Sequence, residues 1–147
     1  GISFGAMLKE FGVALDLDQL SPFARWFPKH RLRRVFDTRF YVAKSHGESA
    51  HISPDMNETR QVFWMQASQV LTMADNGQAK IIFPARRNLE RIAQFANLAQ
   101  AQAHLAQFPV TTVSPWHEMR DGVEHLCIPE NIGYPVTSEP AERAMRG

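Results

Sequence analysis

Apolar and polar residues alternate along residues 35–43 with the period of a β-strand. Phe40 and its neighbours at two-residue spacing point to one side, whereas Asp37, Arg39 and Tyr41 point to the other. We expect the apolar side to pack against the protein core and the polar side to be available for binding or catalysis. A guanidinium held between Asp37 and Tyr41 is suited to meeting a phosphate or a carboxylate through two parallel hydrogen bonds. A plain surface ion pair between Asp37 and Arg39 is the alternative.

Apolar residues at three- and four-residue spacing predict helices in the rest of the chain. The first covers residues 4–11, presents one apolar face and stops at Gly12. A second, over 67–76, is closed by an Asn-Gly pair. A third follows Pro84, and a packing helix is expected within 94–108.

Further strands are predicted for residues 60–65, 110–114 and 123–128. The last follows an Asp-Gly pair at 121–122, which is a strong signal for a hairpin turn. We expect one domain over residues 1–135 and a mobile polar tail over 136–147.

Composition limits the classes of protein that the chain can belong to. It has 147 residues, of which 44% are hydrophobic and 21% charged, as expected for one soluble globular domain. The single cysteine, Cys127, excludes an internal disulfide and is expected to be a core residue in a reducing compartment. A formal net charge of +1 argues against a general nucleic-acid binder. The basic run 29–34 predicts a solvated loop, with an RNA-binding surface as the weaker alternative.

Three segments together resemble a known family. They are Phe-Asp-Thr-Arg-Phe at 36–40, Pro-Ala-Arg-Arg-Asn-Leu-Glu at 84–90 and Pro-Glu-Asn-Ile-Gly-Tyr-Pro at 129–135. In this order the chain resembles the C-terminal half of a Nudix hydrolase, in the branch similar to coenzyme A diphosphatases. The resemblance covers roughly residues 2–135.

The resemblance implies an α/β fold, a mixed sheet with flanking helices that forms part of an α/β/α sandwich. It also implies hydrolysis of a diphosphate bond in a nucleoside diphosphate derivative, with coenzyme A or an acyl-coenzyme A as the leading substrate, and with Mg²⁺ or Mn²⁺ as cofactor. The family's metal-binding Gly-x5-Glu-x7-Arg-Glu-x-x-Glu-Glu helix has no counterpart in residues 1–147. We therefore expect part of an enzyme, inactive by itself, with no metal ligands in this chain. A non-catalytic nucleotide- or protein-binding module derived from a Nudix domain is the alternative.

The candidate substrate-binding residues are Arg39, Arg86 and Arg87. Arg86 and Arg87 fall in the first turn of the helix after Pro84, where the helix dipole disfavours cations by about 0.3–1 kcal/mol each. Either a bound phosphate or an internal Asp or Glu would offset this cost.

Glu58 is the candidate general acid or base, because family members similarly carry a Glu ahead of a strand that ends in Trp. Two histidines five residues apart, His46 and His51, lie in the same long connection but lack the partners of a metal site.

These features predict a small-molecule nucleotide or coenzyme A substrate as partner, with no nucleic acid and no membrane. Besides a monomer, a homodimer is among the expected assemblies. The C-terminal residues Ala-Met-Arg-Gly carry no peroxisomal address, and a cytoplasmic location is expected.

Overall fold

The chain is an α/β protein with two separate sheets. The structure, a computed structural model, describes residues 2–28, 35–45, 53–54, 56–57 and 59–146. Within these ranges it has five α-helices, a short 3-10 helix and two three-stranded sheets. In chain order the elements are α1 (Phe4–Glu10), the 3-10 helix (Leu17–Gln19), β1 (Ser21–Trp26), β2 (Thr38–Val42), α2 (Ala67–Asp75), α3 (Phe83–Ile92), α4 (Leu98–Gln107), β3 (Thr112–Val113), β4 (Trp116–Arg120), β5 (Val123–Cys127), β6 (Ser138–Pro140) and α5 (Ala141–Ala144).

The first sheet has the order β2-β1-β3 and is mixed, as expected from the sequence. Its central strand β1 pairs antiparallel with β2 and parallel with β3. Phe23, Ala24 and Trp26 of β1 are buried. Periodicity did not predict β1, because an irregularity between Pro22 and Ala24 interrupts the strand alternation.

The second sheet has the order β4-β5-β6 and is antiparallel throughout. Asp121 and Gly122 join β4 to β5 with φ angles of 49° and 79°. Both values lie in the left-handed region that a two-residue turn of this kind needs, so the predicted Asp-Gly turn is confirmed. The first strand of the hairpin is Trp116–Arg120 and not the predicted 110–114, of which Thr112–Val113 form β3 in the first sheet.

The prediction of a mobile tail over residues 136–147 is corrected by the structure. Most of this segment forms β6 and α5, and β6 pairs with β5. Glu139, Ala141 and Ala144 are buried. The strand is too short and too polar for its periodicity to be recognised, and it is defined by its pairing with β5.

One other expectation does not hold. Residues 60–65 form no strand, because no described strand lies beside them to complete a hydrogen-bonded ladder, and Phe63 and Trp64 are 58% and 61% exposed. Helix α1 forms where predicted and ends before Gly12, whose φ is +63°, but none of its residues is buried.

The middle helices agree with their sequence signals. Gln66 caps the N-terminus of α2. Its side chain accepts a hydrogen bond from the Gln69 backbone, and the Gln69 side chain accepts one from the Gln66 backbone, which together form a capping box. Helix α3 begins at Phe83 with Pro84 in its first turn. Helix α4 begins later than the predicted span because the Asn97 side chain accepts a hydrogen bond from the Gln100 backbone and caps it there.

Polar side chains bond one another inside the core. The Trp26 indole Nε1 donates to Tyr134 Oη at 3.1 Å and to Asn88 Oδ1 at 3.3 Å, and Tyr134 Oη donates to the same Asn88 oxygen at 2.9 Å. Burial raises the pKa of the Tyr134 hydroxyl, which therefore stays a neutral donor. These bonds fix one orientation of each buried aromatic residue.

Arg91 joins four parts of the chain although it is 2% exposed. Its Nη1 donates to the Phe23 carbonyl at 3.0 Å, and its guanidinium lies 4.8 Å from the centroid of the Phe23 ring and 5.1 Å from that of Tyr134. Its Nε lies 3.4 Å from Nε2 of His104. Burial lowers the pKa of both Arg91 and His104.

Gly133 precedes Tyr134 in the segment 129–135, and its position requires glycine for two reasons. Its φ is +88°, and a Cβ built there would lie 2.6 Å from His104 Nε2 and 3.0 Å from Arg91 Nη2. Both contacts involve side chains that are already held by other bonds, so neither can move aside freely.

We expect Gly133→Ala to lower the free energy of unfolding by about 2–3 kcal/mol, from the positive φ and from overpacking. Gly5→Ala is the matched control, because nothing lies within 4 Å of its Cβ position in α1. It should leave stability unchanged or raise it by up to about 1 kcal/mol. Urea unfolding of the two variants measures both effects, and equal midpoints would contradict the steric account of Gly133.

Candidate functional site

The Arg39 side chain lies on the exposed face of β2, beside the neighbouring strand β1. Phe40 and Val42, on the opposite side, pack against the core as predicted, whereas Phe36 and Thr38, predicted for that same side, are exposed. The Arg39 side chain is 61% exposed, and Tyr41 on the same side is 49% exposed. Arg39 is therefore accessible to a ligand.

A second arginine that the sequence did not identify lies directly opposite. Arg25 of β1 is the cross-strand partner of Arg39. Its Nε and Nη2 each donate to one oxygen of Asp37 at 2.8 Å, a two-bond pairing, whereas Arg39 Nη2 is 3.8 Å from Asp37 Oδ2. Hydrogen bonds from Arg25 lower the pKa of Asp37, so this carboxylate stays charged. The pairing of β1 with β2 brings Arg25 and Arg39 together. The sequence can predict this pair only if residues 21–26 are recognised as a strand.

Asp37 thus orients Arg25 and leaves Arg39 without a hydrogen-bonded carboxylate in the described residues. Two cations opposite each other on adjacent strands repel, and one carboxylate offsets only part of this repulsion. We call Arg25, Asp37 and Arg39 the arginine surface. It has a net positive charge, and within the described residues the Arg39 guanidinium donates no hydrogen bond, which suits the binding of a phosphate group.

Arg86 and Arg87 have different surroundings. Arg86 Nη2 donates to Asp75 Oδ1 at 2.7 Å, and the Arg86 side chain is 13% exposed. Arg87 is 1% exposed, and its Nη2 lies 2.8 Å from Glu90 Oε1 and 3.4 Å from Glu139 Oε1. Of the two ways to offset the helix dipole, the structure shows internal carboxylates. Arg87 does not lie where a phosphate could reach it, because the fold buries its side chain completely.

These pairs close into one circuit, which we call the ion-pair network. Arg143 completes it, since its Nη2 lies 2.9 Å from Asp75 Oδ1 and its Nε 3.8 Å from Glu139 Oε2. Arg86 Nη1 adds a longer contact of 3.9 Å to Glu90 Oε1. The network has three cations and three carboxylates, and its members are Asp75, Arg86, Arg87, Glu90, Glu139 and Arg143.

Burial and charge act against each other within the ion-pair network. Burial lowers the pKa of Arg87 and raises the pKa of Glu90, and in each case the opposite charges nearby counteract the shift. Asp75 is more exposed, and the hydrogen bond from Arg86 lowers its pKa. Charges placed this deeply are tolerated because each one has an oppositely charged neighbour.

Several candidates from the sequence lie outside the described residues. They are the proposed acid or base Glu58, the histidines His46 and His51, and the basic run 29–34. Among the residues that the structure does describe, no three His, Cys, Asp or Glu side chains come together as a metal site. Cys127 is fully buried, as expected for a core cysteine.

An apolar cavity of about 540 Å³ lies between the two sheets and the start of α3. Buried residues, among them Trp26, Phe83 and Leu126, form part of its wall, and the exposed side chains of Phe36, Ile82 and Met145 also line it. Its lining includes the side chain of His117, which also pairs with Glu124 at 3.1 Å.

Comparisons of the chain with protein-family models, with curated proteins and with solved structures found no match. None of the helices in the described residues is both long enough and apolar enough to cross a membrane.

We expect Glu139→Gln to lower the free energy of unfolding by about 3 kcal/mol, because it removes one of the two carboxylates that neutralise the buried Arg87. Glu142→Gln is the matched control. Glu142 lies three residues further on, is 83% exposed at its side chain and pairs only at the surface with Arg146. Its substitution should change stability by less than about 0.5 kcal/mol.

Chemical denaturation at neutral pH measures both variants. A Glu139→Gln protein as stable as the Glu142→Gln protein would show that Arg87 is neutralised by Glu90 alone.

Proposed function

We propose that this chain is the C-terminal part of a Nudix-type hydrolase. The proposed enzyme cleaves a diphosphate bond in a nucleoside diphosphate derivative, and coenzyme A or an acyl-coenzyme A is the leading substrate. Cytoplasm is the proposed compartment, and a small molecule is the proposed partner. The resemblance at 36–40, 84–90 and 129–135 supports the family.

The observation that carries the proposal is the accessible guanidinium of Arg39 beside the Arg25–Asp37 pair. A diphosphate has several anionic oxygens, and a planar guanidinium can donate two parallel hydrogen bonds to one phosphate group. Asp37 fixes Arg25 through two bonds of 2.8 Å, so the positive surface is organised before a substrate arrives. Arg39, at 61% exposure, is the residue of this surface best placed to meet phosphate oxygens.

We propose different roles for the three candidate arginines, on the basis of their surroundings. Arg39 is proposed to contact substrate phosphate, with Arg25 beside it. Arg87 is assigned to stability through Glu90 and Glu139, and Arg86 has its closest contact with Asp75. Glu58 remains the proposed general acid or base.

The described residues do not by themselves fit the Mg²⁺ or Mn²⁺ that the resemblance implies, because they bring no three ligand side chains together. In the proposed enzyme a divalent ion would stabilise charge on phosphoryl oxygens. Its ligands would come from residues other than those described here. The contribution proposed for this part of the protein is binding and orientation of the substrate.

The experiment that tests the function compares two proteins: this chain, and the chain extended upstream to the next start codon. Each is assayed with Mg²⁺ for diphosphatase activity on coenzyme A and on a panel of nucleotide sugars. The proposal expects activity in the extended protein only. Activity in the 147-residue chain would show that the metal site is complete within it.

In the extended protein we expect Arg39→Ala to lower kcat/KM by about 10- to 100-fold, because a charge-assisted hydrogen bond contributes roughly 1.5–3 kcal/mol. The matched control is Arg120→Ala. Arg120 is likewise a strand arginine paired with a carboxylate, Glu118, but it lies in the second sheet. If Arg39→Ala and Arg120→Ala had the same kinetics as the unmodified enzyme, Arg39 would have no role in binding substrate.

A non-catalytic nucleotide-binding module is the second candidate. It is favoured by the same arginine surface, since two guanidiniums can bind an anion without any metal. Equilibrium binding of coenzyme A that is lost in Arg39→Ala, together with absence of turnover in both proteins, would support the module over the enzyme.

A further inference from the structure

A second positively charged site lies on a different part of the molecule, in a cavity of about 380 Å³. The end of α2, the connection from α2 to α3, the first turn of α3 and the region of α5 form its walls. Four cationic side chains line it against one carboxylate, that of Asp75. The cations are Lys80, Arg86, Arg143 and Arg146.

Two of these cations are held in place by the ion-pair network. Arg86 and Arg143 each place Nη2 on the same oxygen of Asp75, at 2.7 Å and 2.9 Å. Two guanidiniums that share one acceptor atom lie close together, and a single carboxylate neutralises only one of the two charges. The longer contacts of these arginines, to Glu90 at 3.9 Å and to Glu139 at 3.8 Å, exceed hydrogen-bond length and leave donors available.

The other two cations are more exposed. Lys80 has no ion pair within the described residues, and Arg146 is paired at the surface with Glu142. Four carboxylates reach the four cations of the cavity: Asp75, Glu90, Glu139 and Glu142. Glu90 and Glu139 are shared with the buried Arg87, which they contact more closely, so the cluster as a whole has five cations and four carboxylates. The arginine donors are preorganised by Asp75, so binding an anion requires little further ordering of side chains.

We propose that this cavity binds a phosphate dianion, either free phosphate or the terminal phosphate monoester of a small metabolite. A dianion with several acceptor oxygens can bridge Lys80 to the arginines, which a monovalent anion such as chloride cannot do. The volume of about 380 Å³ exceeds that of a phosphate group, so an organic portion can also be accommodated. The site does not involve Arg39 and does not depend on the proposed diphosphatase activity.

Calorimetric titration of the 147-residue chain with inorganic phosphate tests the proposal, with ionic strength held constant by potassium chloride. We expect saturable binding that Lys80→Gln and Arg146→Gln each weaken by about tenfold, the usual effect of losing one charged contact. Lys9→Gln, which removes an exposed cation from α1, is the matched control and should leave the dissociation constant unchanged. The titrations are repeated in an Arg39→Ala background, which removes the phosphate contact proposed for the arginine surface. The same tenfold weakening by Lys80→Gln in that background assigns the binding to this cavity.

The unfolding midpoint of each variant is measured alongside, so that loss of binding is not confused with loss of the fold. Equal affinity in the unmodified chain and in Lys80→Gln, or the absence of saturable binding, would overturn the proposal. A glycerol phosphate titration distinguishes the source of the ligand. Tighter binding of the monoester than of inorganic phosphate assigns the site to phosphorylated metabolites, and weaker binding assigns it to free phosphate.

Discussion

The charge on Arg87 is the constraint on which the C-terminal part of this structure depends. A guanidinium that is 1% exposed is tolerated only if carboxylates are brought to it, and Glu90 can supply one from its own helix. The second carboxylate, Glu139, comes from β6, so β6 and α5 must pack against α3. Arg143 then meets Asp75 at the end of α2, and the ion-pair network joins three helices and one strand. These ion pairs, together with the pairing of β6 with β5 and the burial of Ala141 and Ala144, hold residues 138–144 in place.

Buried polar side chains also bond partners inside the protein around Arg91 and in the closing segment 129–135. Arg91 bonds the backbone of β1, and Asn88 accepts bonds from both Trp26 and Tyr134. Gly133 lets the chain pass close to His104 and places Tyr134 in the core. Asn88, Arg91 and Tyr134 are thus mainly structural in this molecule, because they bond or pack against buried groups of distant segments.

Arginine has two distinct uses in this molecule, and exposure separates them. Arg87 and Arg91 are buried and contact internal partners, although Nε and Nη1 of Arg87 have no hydrogen-bond partner among the described residues. Arg39 is exposed, and the nearest carboxylate in the described part of the chain is Asp37 at 3.8 Å. Arg86 and Arg143 are intermediate, since they belong to the ion-pair network and also line a cavity. The exposed apolar residues of α1 and of 60–65, by contrast, have no described neighbour that covers them. The positively charged surfaces are the parts of the described molecule that are proposed to bind ligands.

Local signals in the sequence determined the positions of α1 and α2, the helix after Pro84, the Asp-Gly turn and the exposed side of β2. Each of these depends on residues within a few positions of one another, so periodicity and turn chemistry suffice to predict it. The sequence also placed Arg86 and Arg87 at a helix start and left open whether a ligand or a carboxylate neutralises them. Only the tertiary structure decided that question, since Asp75 and Glu139 come from distant parts of the chain. It likewise decided that Arg25 faces Arg39, that 138–144 is packed rather than a tail, and that 60–65 pairs with no described strand. These outcomes depend on contacts between residues far apart in sequence, and hydrophobic patterning along the chain contains no information on which distant charges and strands will meet.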